Sequence, residues 1–275
     1  MSDLYGFDVF SPKEIAARVE NIGVAKARLP LLSMFMLSVM AGVFVGLGAV
    51  YFVLIRSDTS LGFAVQQTLG GIAFSLGLFL VVVAGAELFT GNNLLAMAWA
   101  DRKISTRELL HNWVIVCCGN FVGAVGLAIL IYFSRHAEMN HGAIAQEYLH
   151  IAIAKTNMPF WTAFFRGILC NLLVCMAVWM ALAGRSVVDK AVAIVLPISA
   201  FVAAGFEHSI ANMFFIPLAM LLQASGQFDP NVAPITWLGF LSNMVPVVLG
   251  NILGGSVLVG LVYYIVYLRK PIADT

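Results

Sequence analysis

The sequence carries little charge. Only 11% of its 275 residues are Asp, Glu, Lys or Arg, less than half of the roughly one quarter that soluble domains contain. The hydrophobic residues amount to 61%, which leaves too few polar side chains to cover a water-exposed surface. The composition excludes a soluble fold and predicts one membrane domain.

The sequence also lacks several marks of other protein classes. Its net charge is +1, so no basic surface is available for nucleic acid, and we expect no nucleic-acid partner. It contains no H-E-x-x-H and no G-x-S-x-G, and His208 is the only histidine expected at membrane depth, one too few for a haem with two axial histidines. We predict no enzyme, no cofactor and no metal, and a structural role for four cysteines without zinc-like spacing: Cys117, Cys118, Cys170 and Cys175.

Long segments have no charged residue at all. A bilayer core of roughly 30 Å needs about 20 apolar residues in a helix, and these segments approach or exceed that length. They are apolar on all sides, unlike the alternating strands of a β-barrel, so we predict an all-α integral membrane protein. The uncharged segments lie between Arg28 and Arg56, Asp58 and Glu87, Glu108 and Arg135, Arg166 and Arg185, and Asp229 and Arg269.

Two apolar stretches, 68–100 and 191–222, are too long for one straight crossing and too short for two. Each is interrupted near its middle by a glycine and a glutamate, Gly85 with Glu87 and Gly205 with Glu207. We predict broken helices at these points. If each stretch crosses once, the chain has six transmembrane helices, of which the second and fifth are broken.

The distribution of Lys and Arg sets the predicted orientation. With six crossings, eleven Lys and Arg lie on the side of both termini and three on the other. Crossing twice at each broken stretch would give eight against six. We therefore place the N- and C-termini of this multi-pass domain on the cytoplasmic side of the membrane.

The predicted organisation has three parts. Residues 1–29 form a cytoplasmic N-terminal region, in which Ser11-Pro12-Lys13-Glu14 begins an amphipathic helix. This helix either anchors the chain at the membrane surface or acts as a plug. Residues 30–268 form the six-helix membrane domain, and residues 269–275 form a cytoplasmic tail.

The two halves of the membrane domain repeat a pattern. A shift of 120 residues superposes Gly85, Glu87 and Asn92 on Gly205, Glu207 and Asn212. A second echo joins Gly119-Asn120-x-x-Gly123 to Gly250-Asn251-x-x-Gly254. Each half has three crossings, so the halves must be inverted relative to each other, an arrangement typical of transporters.

Polar residues within the membrane are candidates for a transport pathway. His208 follows the second break, and we expect it to face a pathway rather than merely cap free backbone. Glu87 and Glu207 are either proton-relay carboxylates or braces that accept backbone N–H bonds at the breaks. Their symmetric placement in the two halves favours the role of braces. The same two alternatives apply to Asn92 and Asn212. Arg166 is expected at the outer interface.

Two motifs carry a family resemblance. The segments Gly205-Phe206-Glu207-His208-Ser209-Ile210-Ala211-Asn212-Met213 and Ala86-Glu87-Leu88-Phe89-Thr90-Gly91-Asn92 closely resemble the formate/nitrite transporter family. The resemblance covers essentially the whole chain. It implies an aquaporin-like fold and a homopentamer in the lipid bilayer with one pore per protomer.

The resemblance also assigns roles along the pore. It implies a central pair of His208 and Thr90, a cation at the outer vestibule, Lys155, and a polar lining residue, Asn171. The periplasmic constriction would consist of Phe74, Leu78 and Phe201, and the cytoplasmic constriction of Leu88, Phe89 and Val174.

The implied function is passage of formate and related small monovalent anions across the cytoplasmic (inner) membrane of a bacterium. An anion crossing two apolar constrictions loses hydration, whereas the neutral acid loses far less. His208 could supply the proton between the constrictions, or it could donate only a hydrogen bond while the anion passes. A nitrite or hydrosulfide transporter of the same family is the alternative, and a membrane-embedded enzyme a distant third.

Overall fold

The computed structural model describes residues 9–226 and 234–269. Within these ranges the chain is helical and contains no β-strand, which confirms the predicted all-α class. The helices are α1 (Pro12–Ala27), α2 (Leu31–Arg56), α3 (Phe63–Gly85), α4 (89–100), α5 (Thr106–Phe133), α6 (Ala143–Thr156), α7 (Phe160–Ala181), α8 (Val187–Ala203), α9 (Ser209–Ala224) and α10 (Trp237–Leu268).

Five of these helices are long and apolar enough to cross a bilayer. They are α2, α3, α5, α7 and α10, with 22 to 32 residues each. Helices α8 and α9 are equally apolar but have only 17 and 16 residues. The described part of the chain therefore has five membrane-spanning helices by length and composition, together with two shorter apolar ones.

Glycines let the crossing helices approach closely. Helix α2 packs along α5, and α7 packs along α10. A Cβ atom on Gly123 would overlap the carbonyl oxygen of Val39, and one on Gly254 would overlap that of Ile168. Small residues at such contacts let backbones meet, which is how helices associate where lipid supplies no hydrophobic drive.

Helical structure stops at two glycines, one in each of the two long apolar stretches. Gly85 has φ +85° and Gly205 has φ +70°, in the left-handed region that glycine adopts without steric cost. The residues that follow are extended, as at Ala86 (φ −152°) and His208 (φ −106°). Helices α4 and α9 then begin, so each stretch presents a helix end and a helix start inside the protein.

Helix α1 begins with the predicted capping box and lies against the membrane helices. The Ser11 hydroxyl accepts the N–H of Glu14, whose carboxylate accepts the N–H of Ser11. Ile15 and Val19 are buried against α4, α7 and the end of α10. Glu20 pairs with Lys103, and burial raises the pKa of the Glu20 carboxyl.

The sequence analysis did not predict helix α6. It is too short to cross a membrane, and its polar face carries Glu147 and His150. Its other face buries Ile144, Tyr148 and Ala152 at four-residue spacing, largely against α9. Helix α6 places Lys155 beside the second break.

Candidate functional site

His208 and Thr90 meet where the two interrupted stretches come together. The His208 Nε2 atom lies 3.0 Å from Thr90 Oγ1, and His208 is 4% exposed while Thr90 is fully buried. The His208 Nδ1 atom caps α9 by accepting the N–H of Ala211 at 3.2 Å. Because Nδ1 accepts, the neutral ring carries its proton on Nε2, which donates to Thr90.

Aromatic rings enclose His208 on one side. The Phe201 ring stacks on the imidazole with centroids 5.9 Å apart, and the Phe74 ring meets Phe201 edge-on at 5.8 Å. These three side chains line a cavity of about 190 Å³ together with Lys155 and Glu207. This outer cavity, as we call it, thus ends on an apolar wall and one histidine.

A second cavity, of about 490 Å³, lies between α1, the end of α3 and the start of α4. Leu78 and Leu88 line it together with Glu87 and Lys26; we call it the inner cavity. Leu78 therefore faces a different cavity from Phe74, one turn earlier on α3.

The remaining two residues assigned to the cytoplasmic constriction lie deeper in the protein. Phe89 is 3% exposed and Val174 is 2% exposed. Neither of them lines the inner or the outer cavity. Both belong to the same buried apolar cluster as Leu88.

Glu207 belongs to a ring of four side chains at the second break. Its Oε1 accepts from Lys155 Nζ at 2.8 Å, and its Oε2 accepts from Asn212 Nδ2 at 2.7 Å. Asn212 Nδ2 also donates to Asn243 Oδ1 at 2.7 Å, and Asn243 Nδ2 donates to the Lys155 carbonyl at 3.0 Å. The buried carboxylate is therefore neutralised and hydrogen-bonded.

Glu87 belongs to a matching ring at the first break. Lys26 Nζ lies 3.0 Å from Glu87 Oε1, and Asn92 Nδ2 donates to Glu87 Oε2 at 2.7 Å. Asn92 also donates to Asn112 Oδ1 at 3.0 Å, and Asn112 Nδ2 donates to the Lys26 carbonyl at 3.2 Å. The partners of both carboxylates are thus lysines and asparagine amides, where the sequence analysis had expected backbone N–H groups.

Two further asparagines satisfy the backbone at the breaks. Asn120 Oδ1 accepts the N–H of Phe89 at 2.9 Å, and its Nδ2 donates to the Glu87 carbonyl at 2.9 Å. Asn251 Oδ1 accepts the N–H of Ser209 at 3.0 Å, and its Nδ2 donates to the Glu207 carbonyl at 3.0 Å. Buried backbone groups left without partners would cost several kcal/mol in hydrocarbon, so these amides make the breaks stable.

Asn171 connects the two breaks. Its Nδ2 lies within hydrogen-bond distance of the Thr90 carbonyl (3.2 Å), of Asn93 Oδ1 (2.8 Å) and of the Asn251 carbonyl (2.7 Å). The side chain is fully buried and lines neither cavity. In this position it links the two breaks, and its role as a polar lining residue stays a prediction.

Sequence reasoning did not select Lys26, Asn112 or Asn243. Asn112 precedes Asn120 by eight residues, and Asn243 precedes Asn251 by eight, so each pair lies about two turns apart on one helix face. That shared spacing was a usable signal. Lys26 had no such signal, because it belongs to the surface helix. Among the described residues no group of His, Cys, Asp and Glu could hold a metal ion.

A family model described as "Formate/nitrite transporter" matches residues 13–265, and the chain belongs to that family. It is 41% identical to "Formate channel FocA" of Escherichia coli (strain K12) over 96% of both chains, and 34% identical to "Formate channel BtFdhC" of Bacillus thuringiensis over 94% of this chain and 96% of that one. A solved structure, "Pentameric formate channel with formate bound", superposes with a TM-score of 0.80 at 38% identity, covering 87% of this chain and 98% of that chain.

Proposed function

We propose that this protein is a membrane channel or transporter that passes formate and related small monovalent anions across a bacterial inner membrane, as a homopentamer. The observation that carries the proposal is the buried His208–Thr90 pair at the end of an aromatic-walled cavity, with Nε2 and Oγ1 3.0 Å apart. The names of relatives support formate as the substrate. Nitrite or hydrosulfide is the alternative within the family.

We further propose that the chain crosses the membrane six times. Helices α3 and α4 would share one crossing and α8 and α9 another, so that two three-helix halves are inverted in an aquaporin-like fold. Both termini would be cytoplasmic, with the inner cavity facing the cytoplasm and the outer cavity the periplasm. Residues 30–268 would form the membrane domain; the tail beyond Arg269 and the first eight residues lie outside the described residues.

The apolar walls around Phe74, Phe201, Leu78, Leu88, Phe89 and Val174 would favour a permeant with little charge. An ion loses hydration there and gains few partners. This supports proton-linked passage, in which formate crosses as the neutral acid with a proton as the second substrate.

The hydrogen bonds of His208 favour a different step at the centre. An imidazolium needs a proton on Nδ1, where the N–H of Ala211 already donates, so protonation would remove a helix cap. We therefore propose that neutral His208 meets the permeant with its Nε2–H, and that any proton reaches formate by another route.

Formate uptake into proteoliposomes tests these roles with two substitutions. His208→Gln keeps an N–H donor but cannot titrate, whereas His208→Phe removes the donor. We expect His208→Gln to conduct formate and His208→Phe to lose about two- to tenfold, because a hydrogen bond to a neutral group is worth about 0.5–1.5 kcal/mol. His150→Gln, an exposed histidine on α6, is the control and should match the wild-type protein.

The outcomes separate the alternatives. Equal loss in both His208 variants, together with loss of pH-driven accumulation, would favour the proton relay. Full activity of His208→Phe would contradict a pathway through this residue. Nitrite measured beside formate decides the substrate, since faster nitrite flux would favour the alternative.

A further inference from the structure

Three cationic side chains line the outer cavity, and two of them are neutralised. Arg56 Nε lies 2.9 Å from Glu147 Oε1, and Lys155 Nζ lies 2.8 Å from Glu207 Oε1. The third is Arg166, which is exposed and whose guanidinium has no ion pair or hydrogen bond with another residue in the described chain. The uncompensated positive charge of this cavity therefore resides on Arg166.

Arg166 has a counterpart at the first break. The carbonyl of Arg166 accepts the N–H of Glu207 at 3.3 Å, and the carbonyl of Leu37 accepts the N–H of Glu87 at 3.2 Å. Each residue also lines the cavity on its own side. The same backbone position thus carries an arginine beside the outer cavity and a leucine beside the inner cavity.

The inner cavity has no free cation among the described residues that line it. Its lysine, Lys26, donates to both Glu87 and Asn92. A positive charge at the mouth of an apolar cavity raises the local concentration of anions through a field that salt screens. The two cavities should therefore differ in how strongly they gather anions.

We propose that Arg166 is the residue that captures small monovalent anions in the outer cavity, and that it makes capture from that side more effective than from the other. The inference rests on the proposed function. Arg166 acts before the apolar constriction: it concentrates the anion beside Phe74 and Phe201, while the Lys155–Glu207 pair holds the break in place.

Formate uptake should be measured in right-side-out and inverted membrane vesicles from a bacterial host without formate transport of its own. In right-side-out vesicles at low ionic strength, Arg166→Leu should raise the half-saturating formate concentration by about fivefold with little change in maximal rate. At about 0.5 M salt the difference should fall below about twofold. In inverted vesicles the half-saturating concentration should stay near the wild-type value and the maximal rate should fall instead, because the ratio of the two must change by the same factor in both directions.

Three further variants sharpen the test. Arg166→Lys should restore the wild-type value, and Arg166→Gln provides a second way to remove the charge if the leucine variant does not fold. Arg135→Gln is the matched control, because Arg135 is an exposed arginine that pairs with Glu138 at 2.7 Å and does not line the cavity.

An unchanged half-saturating concentration for both Arg166 removal variants in right-side-out vesicles would overturn the inference. So would an equal change of that concentration in both vesicle orientations, or a change of maximal rate alone in right-side-out vesicles. Absence of formate flux in the wild-type protein would overturn the proposed function instead. Leu37→Arg should lower the half-saturating concentration in inverted vesicles, and the opposite sign would count against the role of this position.

Discussion

Each break is surrounded by one lysine, one glutamate and two asparagines, but the lysine comes from a different kind of helix at each break. At the second break, Lys155 comes from α6, a helix packed within the protein, and its side chain is 14% exposed. At the first break, Lys26 comes from α1, which lies at the edge of the molecule, and its side chain is 27% exposed. One ring is therefore closed by a helix in the core of the protein, and the other by a more exposed peripheral helix.

The largest expected difference follows from removing each lysine. Lys155→Met leaves a buried glutamate without its cation, which costs about 3–5 kcal/mol when a buried pair is broken. Lys26→Met should cost roughly half as much, since water can reach Glu87 once α1 moves. Thermal unfolding in detergent micelles measures both, and Lys190→Met, near the start of α8, is the control. Equal losses of unfolding free energy would mean that α1 is held in the fold as firmly as α6.

A smaller and symmetric effect is expected at the two backbone-binding amides. Asn120→Leu and Asn251→Leu each remove three hydrogen bonds to backbone around a break. Each should lose about 2–4 kcal/mol, at roughly 1 kcal/mol for a bond and more where a buried group is left unpaired. The same unfolding measurement compares them. A difference of more than about twofold would show that the two breaks are not equivalent.

The smallest effect concerns the glycines that end the helices. Gly85→Ala and Gly205→Ala place a side chain at positive φ, at a cost of about 1–2 kcal/mol, although no atom lies within 4 Å of an added Cβ. Gly126→Ala on α5 is equally uncrowded but helical, and should be neutral or stabilising by about 0.5–1 kcal/mol. If Gly126→Ala lost as much unfolding free energy as the other two variants, backbone conformation would not be the cause of their loss.

The sequence predicted the class and the family, because charge-free segments and the motifs around Glu87 and His208 are local features. It did not predict which groups meet. Lys26 and Glu87 are 61 residues apart, and no local pattern joins them. Helix α6 was not predicted for a related reason: its apolar face has a helical period, but with 14 residues it is too short to appear as a membrane crossing.

The balance of charge at the outer cavity could not be derived from composition either. Arg166 had been expected to reach toward the interface, and Lys155 to serve as the vestibule cation. The ion pair with Glu207 is what distinguishes Lys155, whose charge is neutralised inside the protein, from Arg166, whose charge faces solvent. Such pairing depends on the placement of α6 against α9, which the sequence alone does not specify.

The contacts of Asn93 and Asn171 have a consequence for biogenesis. The Asn93 carbonyl accepts from Ser256 at 3.1 Å, and Asn171 Nδ2 lies 2.7 Å from the Asn251 carbonyl. During synthesis, the polar groups around α4 must therefore wait for more than 150 further residues before these partners leave the ribosome. The centre of the protein is completed last, so a chain shortened before α10 would leave these buried polar groups without their partners.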